Sequence, residues 1–418
     1  MNTKCFCTGW PLVVGLAASV LASPSFAVAL TLDEALRLAE HNAPSLAAQD
    51  ASIQAASSAA IPAGELPDPK LVLGVQNYPI GGPDRWSLNQ DFMTMQMVGV
   101  RQDMPNSAKR KARVEVADAA VERAAAERRV ERLNVRQATA LAWISRYSVE
   151  RKDALFQDLY KENRLLADTV KAQIAGGRGQ PADAVTPKQE AAQLAEQQDE
   201  LTRQRAQAQA ALKRWIGPAA YEKPEGRLPE WPIDTSHLSH SLQQHPELAA
   251  YAPMTREAQA RVREAEADKQ SDWSWELDYQ HRDRQFGDMV SVQLSWDLPL
   301  FPGSRQNPKI AARQAQLSQL EAEREALSRE HTEQLESELA DYARLDRAVQ
   351  RNQENLVPLA REKVELSMAS YRAGKGDLNA VVAARRELIE ARLKQIDVEE
   401  QRALTRARLY FAYGEAGQ

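Results

Sequence analysis

Two stretches of this 418-residue chain read as copies of one unit, and that duplication limits the fold more than any single motif does. LAEHNAPSLAA, from Leu38, is echoed by SLQQHPELAA, from Ser241, with Pro44 answered by Pro246. Each is followed by a pair of alternating segments, a long charged tract, a glycine turn and a return tract, at spacings that agree to within a few residues. The unit is helix–strand–strand–long helix–turn–helix. The first copy takes residues 28–218, with a β-hairpin at 70–104 and a helical tip near 176–181. A Pro-rich linker covers 219–235. The second copy takes 236–418, with a β-hairpin at 273–298 and a tip near 373–377.

The second hairpin has the clearer pattern. Trp273, Trp275, Leu277 and Tyr279 alternate with Ser274, Glu276, Asp278 and Gln280. After the turn DRQFG, Val290, Val292, Leu294, Trp296 and Leu298 alternate with Ser291, Gln293, Ser295 and Asp297. A period of two predicts strands with one apolar and one polar face. Each run has about the length of a tilted membrane-spanning strand, and the polar face carries carboxylates that need water. In the first copy, Leu71, Leu73 and Val75 mark one strand over Lys70–Tyr78, and Phe92–Met104 is its return. A hairpin cannot stand alone in lipid, because its edges leave backbone groups unpaired. Four strands are also too few to close a membrane barrel, which needs roughly eight.

The tracts between are helical. Thr31 and Glu34 form a capping box for a first helix running to about Ala60. The tract from about Ala108 to Ala175 has no Gly or Pro and spans on the order of 100 Å. Its return runs from about Ala182 to Ile216, and the second copy has counterparts at about Gln306–Tyr371 and Leu378–Tyr413. Windows such as ERAAAERRVERLN hold few large apolar residues, so these helices form a thin coiled-coil-like wall wet on both sides, or a solvated stalk.

Composition adds boundaries. Lys4, the apolar run Trp10–Ala22 and Ser25-Phe26-Ala27 form an expected secretory signal over 1–27. Both cysteines, Cys5 and Cys7, lie inside it, so the exported chain is expected to have no thiol or disulfide. It would carry 52 basic against 58 acidic residues, a net of −6, which gives no basic footprint for nucleic acid. HExxH, CxxC and GxxxxGK[ST] are absent, and the abundant carboxylates single out no acid–base pair, so the chain is not expected to be an enzyme.

With these pieces joined, the sequence resembles the TolC family of outer-membrane exit ducts over nearly all of its exported length. The resemblance rests on the duplication, on the corners DMPNSAKR and DLPLFPGSR, and on YRAGKGDLNAVVAARREL at Tyr371–Leu388. Within the family, LPDPKLVLGVQNYP and MVGVRQDMPNSAKR look closest to the CusC/CzcC-like heavy-metal efflux branch. The resemblance implies a mainly α fold with a small β part, in which three chains share a 12-stranded outer-membrane barrel above a duplicated α-helical barrel. It implies a homotrimer contacting outer-membrane lipid, a periplasmic adaptor, an inner-membrane proton-driven (RND-type) transporter, and no cofactor. The function implied is a passive exit duct for metal cations. A multidrug or type I secretion duct is the alternative within the family, and a soluble periplasmic coiled-coil adaptor or scaffold is the alternative outside it.

Candidate sites follow. Gly176, Gly177 and Gly179 at one tip, and Gly374, Gly376 and Asp377 at the other, are candidates for adaptor docking and gating, or simply turns. The resemblance implies gate carboxylates just beyond the second tip, yet those positions are Ala380 and Ala383, which leaves Asp377 and Asp183 as fallbacks. Trp273, Trp275, Tyr279 and Trp296, with Tyr78 and Trp86, are candidates for the barrel's aromatic girdles. Met93, Met95 and Met97 alternate, and thioethers suit Cu(I) and Ag(I). Aligning the repeats pairs Met97 with Ser291 and puts the methionines toward the lumen, whereas Thr94 and Gln96 on the other face argue the opposite. His237, His240 and His245 could share a metal or serve as linker and cap residues.

Overall fold

The computed structural model describes residues 30–283 and 285–414; the expected signal segment lies outside the described residues. Helix α1 (Leu32–Asn42) starts where Thr31 Oγ1 accepts the Glu34 N–H at 3.3 Å. The expected single helix to Ala60 is two, because Pro44 forces Ala43 into an extended conformation and opens α2 (Pro44–Ala60). Strands β1 (Lys70–Gln76) and β2 (Met95–Met104) follow. Helix α3 (Ser107–Ala175) is one uninterrupted rod of 69 residues, roughly 100 Å long. The return helix α4 (Thr186–Ile216) ends at Gly217, whose φ is +63°.

The second copy begins with α5 (Thr235–Ser241) and α6 (Pro246–Ala267), then β3 (Trp273–His281) and β4 (Met289–Trp296). Its long tract is not one rod. It divides into α7 (Gln306–Arg351) and α8 (Val357–Arg372) around a wide π turn at Asn352–Leu356. Pro358 explains the break, since it offers no N–H and its ring crowds the preceding turn. Helix α9 (Leu378–Leu409) returns and ends in a second wide turn at Tyr410–Gly414.

Helix α3 is the spine. Its first half lies against α2 and α6, with cross-links such as Arg113–Glu264 at 3.2 Å and Arg128–Asp50. Ala112, Ala119, Ala124 and Ala126 on α3, and Ala260, Ala265 and Ala267 on α6, are buried, so small side chains let the helices approach. Its second half packs on α4 and α9, where Arg205 bridges Glu150 and Asp153. The apolar core is a set of separate clusters rather than one mass. The largest lies where α1, α3, α4 and α9 meet around Trp143 and Ile144. Trp143 Nε1 donates to the Leu30 carbonyl at 2.9 Å. The linker is packed against this region: Pro224 pairs with Leu30, and Trp231 stacks on Tyr410 at 4.6 Å.

The four strands form one antiparallel sheet in the order β1-β2-β3-β4. The first copy's return strand pairs with the second copy's outgoing strand, so the two hairpins make a continuous sheet open at β1 and at β4.

Candidate functional site

The sheet sorts its side chains by face. Residues directly opposite in an antiparallel sheet share a face. Val98 opposes Leu73 and Tyr279, and Leu277 opposes Val100 and Val292, so these residues share one apolar face. All six are exposed. Asp278 opposes Gly99 and Ser291, and Gln280 opposes Met97, on the polar face. There Ser274, Asp278 and Gln280 are buried although polar, so this face is concave and closes on itself. Gln280 Nε2 donates to Gln76 Oε1 at 3.2 Å across the sheet. Gly99 makes room for Asp278: a Cβ there would fall 1.8 Å from Asp278 Oδ1 and 2.9 Å from the Leu277 carbonyl oxygen. Asp278 is 6% exposed, and its Oδ1 has no hydrogen-bond partner.

The aromatic candidates fall at the two ends of the apolar face. Trp273 opposes Trp296 where the sheet meets the helices, with Trp275 next along the same face. Tyr279 is at the other end, its hydroxyl donating to Asp288. Beside it the first hairpin's loop places Tyr78 and Trp86 with ring centroids 6.0 Å apart, and the Tyr78 hydroxyl donates to the Trp86 carbonyl at 3.0 Å. Strand β3 has nine residues, or about 30 Å, enough to carry a band of each kind at either end of a hydrocarbon layer.

Met95 and Met97 lie on the polar face, as the repeat alignment predicts and local polarity does not. Gln96 misleads because it sits at the strand end, beside Val98 and Val100 on the same face. Met93 does not join them, which corrects the expected three-methionine face. Its N–H is held by Asp91 Oδ1 at 2.7 Å in a turn that precedes β2, and Thr94 Oγ1 donates to the Asn77 carbonyl.

The strand–helix corners are built differently. At the first, Asn106 caps α3, accepting the Lys109 N–H at 2.8 Å, and donates through Nδ2 to Asp272 and to the Ala267 carbonyl. Burial pushes the Asp272 carboxyl up, but the Asn106 N–H and the Lys109 ammonium outweigh it and hold it below the ordinary value. At the second corner, α7 starts seven residues after Pro299 rather than two after the proline. Arg305 supplies no side-chain cap, and Leu298, Leu300 and Phe301 are exposed.

The two tips share one backbone design. Gly177 and Gly374 both have φ +70°, the left-handed region that favours glycine. Gly179 and Gly376 donate to the carbonyls of Gln173 and Ser370, each at 3.1 Å, and Gly176 closes α3 by donating to Ala172 at 2.9 Å. A Cβ on Gly376 would meet the Ser370 Cβ at 3.0 Å and the Ser370–Tyr371 backbone at 3.1 Å. The tips touch, with Gln173 Nε2 donating to the Arg372 carbonyl at 3.4 Å. Asp183 caps the Gln180 N–H at 2.9 Å, whereas Asp377 precedes α9 without a side-chain cap bond. Tyr371 is buried between them; burial first, then the charges of Asp183 and Asp377, push its hydroxyl above its ordinary range. Ala380 and Ala383 are exposed on α9, and the next acids on that face are Glu387, paired to Lys363 at 2.7 Å, and Glu390.

Sequence reasoning missed a buried ion pair one turn or more behind the tips. Arg385 on α9 donates from Nε and Nη2 to Glu190 Oε1 on α4 at 3.2 and 2.9 Å, and Arg392 binds Glu162 on α3 at 3.0 Å. It also missed a partner for His245. His237 and His240 are exposed on α5, but His245 is buried against His331 of α7, and burial, then the His331 ring, push it down to about 4.

These surfaces agree with the comparisons. Residues 237–415 match the family model described as outer membrane efflux protein. The match covers the second repeat and not the first. No curated protein matches it in sequence. In structure it is similar to a membrane protein from Pseudomonas aeruginosa, with TM-score 0.78, 18% identity and coverage of 91% of this chain and 90% of the other. It is similar to the outer membrane protein VceC of Vibrio cholerae, with TM-score 0.74, 16% identity and coverage of 92% and 96%. It is also similar to CusC, described in terms of transmembrane channel formation, with TM-score 0.74, 14% identity and 91% of each chain covered. The fold is therefore the TolC-like one: mainly α, with a four-stranded antiparallel sheet. Among the described residues no helix is long and apolar enough to cross a membrane.

Proposed function

We propose that this chain is the outer-membrane exit duct of a tripartite pump for metal cations. Three chains would assemble, β4 of one beside β1 of the next, into a 12-stranded barrel. The observation that carries this reading is the sheet itself: an exposed apolar face backed by a concave polar face, with both edges unpaired. An open edge is untenable in lipid, so closure needs further copies. A soluble scaffold would leave that apolar face in water, which disfavours it. The helical tips, which lie at the far end of a rod roughly 100 Å long, are the surfaces for a periplasmic adaptor and, through it, a proton-driven inner-membrane transporter. Selection would rest with that transporter, since a wide aqueous pore discriminates weakly.

The metal assignment is supported by the resemblance of LPDPKLVLGVQNYP and MVGVRQDMPNSAKR to the heavy-metal branch, and by the thioethers of Met95 and Met97 on the polar face, a ligand type that suits soft cations. The test is growth of a deletion strain and its complemented parent on copper, silver, zinc, cobalt and cadmium beside several drugs and dyes. Sensitivity to metals alone, reversed by complementation, is the expected result. Sensitivity to drugs and dyes with metals unchanged would keep the duct and discard the metal cargo. The barrel is tested separately by single cysteines. Ser291→Cys should react with a membrane-impermeant maleimide and Val292→Cys should not; equal reactivity would contradict the assigned faces.

A further inference from the structure

His245, Glu247 and His331 come together at the joint where α6, α7 and the end of α9 meet, away from the sheet and from both tips. His245 is the residue before α6, Glu247 lies in the first turn of α6, and His331 lies on α7. One donor atom from each lies within 4.8 Å of the others. His331 Nε2 is 2.9 Å from Glu247 Oε2, and the two imidazole rings are 4.1 Å apart between centroids. His245 is 3% exposed and His331 is 7% exposed.

We propose that these three side chains bind one divalent transition cation of the zinc class per chain, as a structural clasp within the second repeat. Two imidazoles and a carboxylate are a donor set for zinc, cobalt, nickel or copper, and not for magnesium or calcium, which take oxygen. Zinc–nitrogen bonds of about 2.0–2.1 Å need tetrahedral donors about 3.4 Å apart, so the set closes on a cation by small ring rotations. The Tyr413 hydroxyl lies 3.3 Å from the His331 carbonyl oxygen and 3.4 Å from His331 Nδ1, on the side of the ring opposite Glu247, while Nε2 faces the Glu247 carboxylate. A cation held at Nε2 would meet the carboxylate on that side, with Nδ1–H turned to the Tyr413 oxygen as its outer partner.

His245 contributes Nε2. Its Nδ1 now accepts the Glu247 N–H in a long 3.3 Å bond, and ligation would move the ring proton to Nδ1 and exchange that bond for one to the metal. The clasp would tie the helix leading into β3 to the helix leaving β4. Its two imidazoles are buried and only the Glu247 carboxylate reaches solvent, so it serves architecture and not cargo, and it stands whether or not the pump exports metals.

The test uses the full chain, expressed without a histidine tag, purified in detergent and stripped with chelator. Equilibrium dialysis against zinc, with magnesium as control, is followed by metal analysis. One zinc per chain is expected, with a rise in thermal midpoint. His245→Gln and His331→Gln should each weaken binding at least tenfold, while the double variant His237→Gln/His240→Gln should bind as the parent does. No bound zinc in the parent, or equal zinc in the parent and in the variants of His245 and His331, would overturn the site. So would loss of the zinc in the control. Should the core variants fail to fold, cobalt in the parent decides. Visible absorption of a low-coordinate nitrogen–oxygen site, displaced by one zinc equivalent, supports the clasp; its absence refutes it.

Discussion

The buried pair between Arg385 and Glu190 should control how firmly the tip end of the helical hairpins holds together. Arg385 is 6% exposed and Glu190 is 8% exposed, and they join α9 to α4 with two hydrogen bonds to one carboxylate oxygen. The other oxygen, Oε2, is buried with no partner. Removing the guanidinium in Arg385→Ala would leave that carboxylate with neither water nor a counter-charge, and breaking such a pair costs about 3–5 kcal/mol. At roughly 1.4 kcal/mol per factor of ten, local opening should become about two to four orders of magnitude more frequent. Global unfolding is a poor readout here, because a chain of long helices with several separate small cores is not expected to melt in two states. Hydrogen exchange of residues 186–194 and 381–390 reads the local opening directly. Those amides should exchange faster in Arg385→Ala, with the strands unaffected. The double variant Glu190→Leu/Arg385→Met should restore most of the protection, because a well-packed apolar pair of similar size replaces buried ions with little loss. Unchanged exchange in the single variant would show that the pair is not closed in the protein in solution. A double variant as open as the single one would show that helix packing, and not the charge left behind, sets the cost.

Three further outcomes follow from the geometry. Gly99→Ala drives a methyl into Asp278 and toward the Leu277 carbonyl, at about 1–3 kcal/mol of overpacking; folded protein in the outer membrane should fall, and Asp278→Ala should restore part of it if the side-chain clash dominates. Gly177→Ala and Gly374→Ala each place a side chain at φ +70° and should cost about 1–2 kcal/mol, read as faster exchange at the tips, with Gly177→Asn milder. Glu40 has its carboxyl pushed up by burial, but hydrogen bonds and charge from Arg136 and Arg132 win and hold it below 4.5. Its folded value is lowered, so its contribution is present above pH 4.5 and fades as the pH falls through the folded value; protection of α1 should decline in acid, and Glu40→Gln should flatten that decline.

Much of this was legible because period and repeat are local or arithmetical. Strand alternation fixes which face of β3 and β4 is apolar, and the register confirms it residue by residue through Trp273–Trp296 and Leu277–Val292. The repeat also settled a conflict that local polarity got wrong, placing Met97 with Ser291 on the polar side. Breaks were less legible where one residue competes with a long helical pattern. Pro358 interrupts a tract whose flanks are strongly helical, and Pro44 divides a tract that otherwise reads as continuous. What stayed hidden depends on helix rotation and on residues far apart in sequence. Arg385 and Glu190 are 195 residues apart, and His331 is 84 from Glu247. On helices this charged, every window offers acids and bases at plausible spacings, so sequence cannot say which few turn inward. The thinness of the core makes those few matter. A wall built from alanine contacts and small apolar clusters has little hydrophobic burial to spare, so its buried ion pair behind the tips and its imidazole pair at the joint fix the helices against one another where a larger core would otherwise do so.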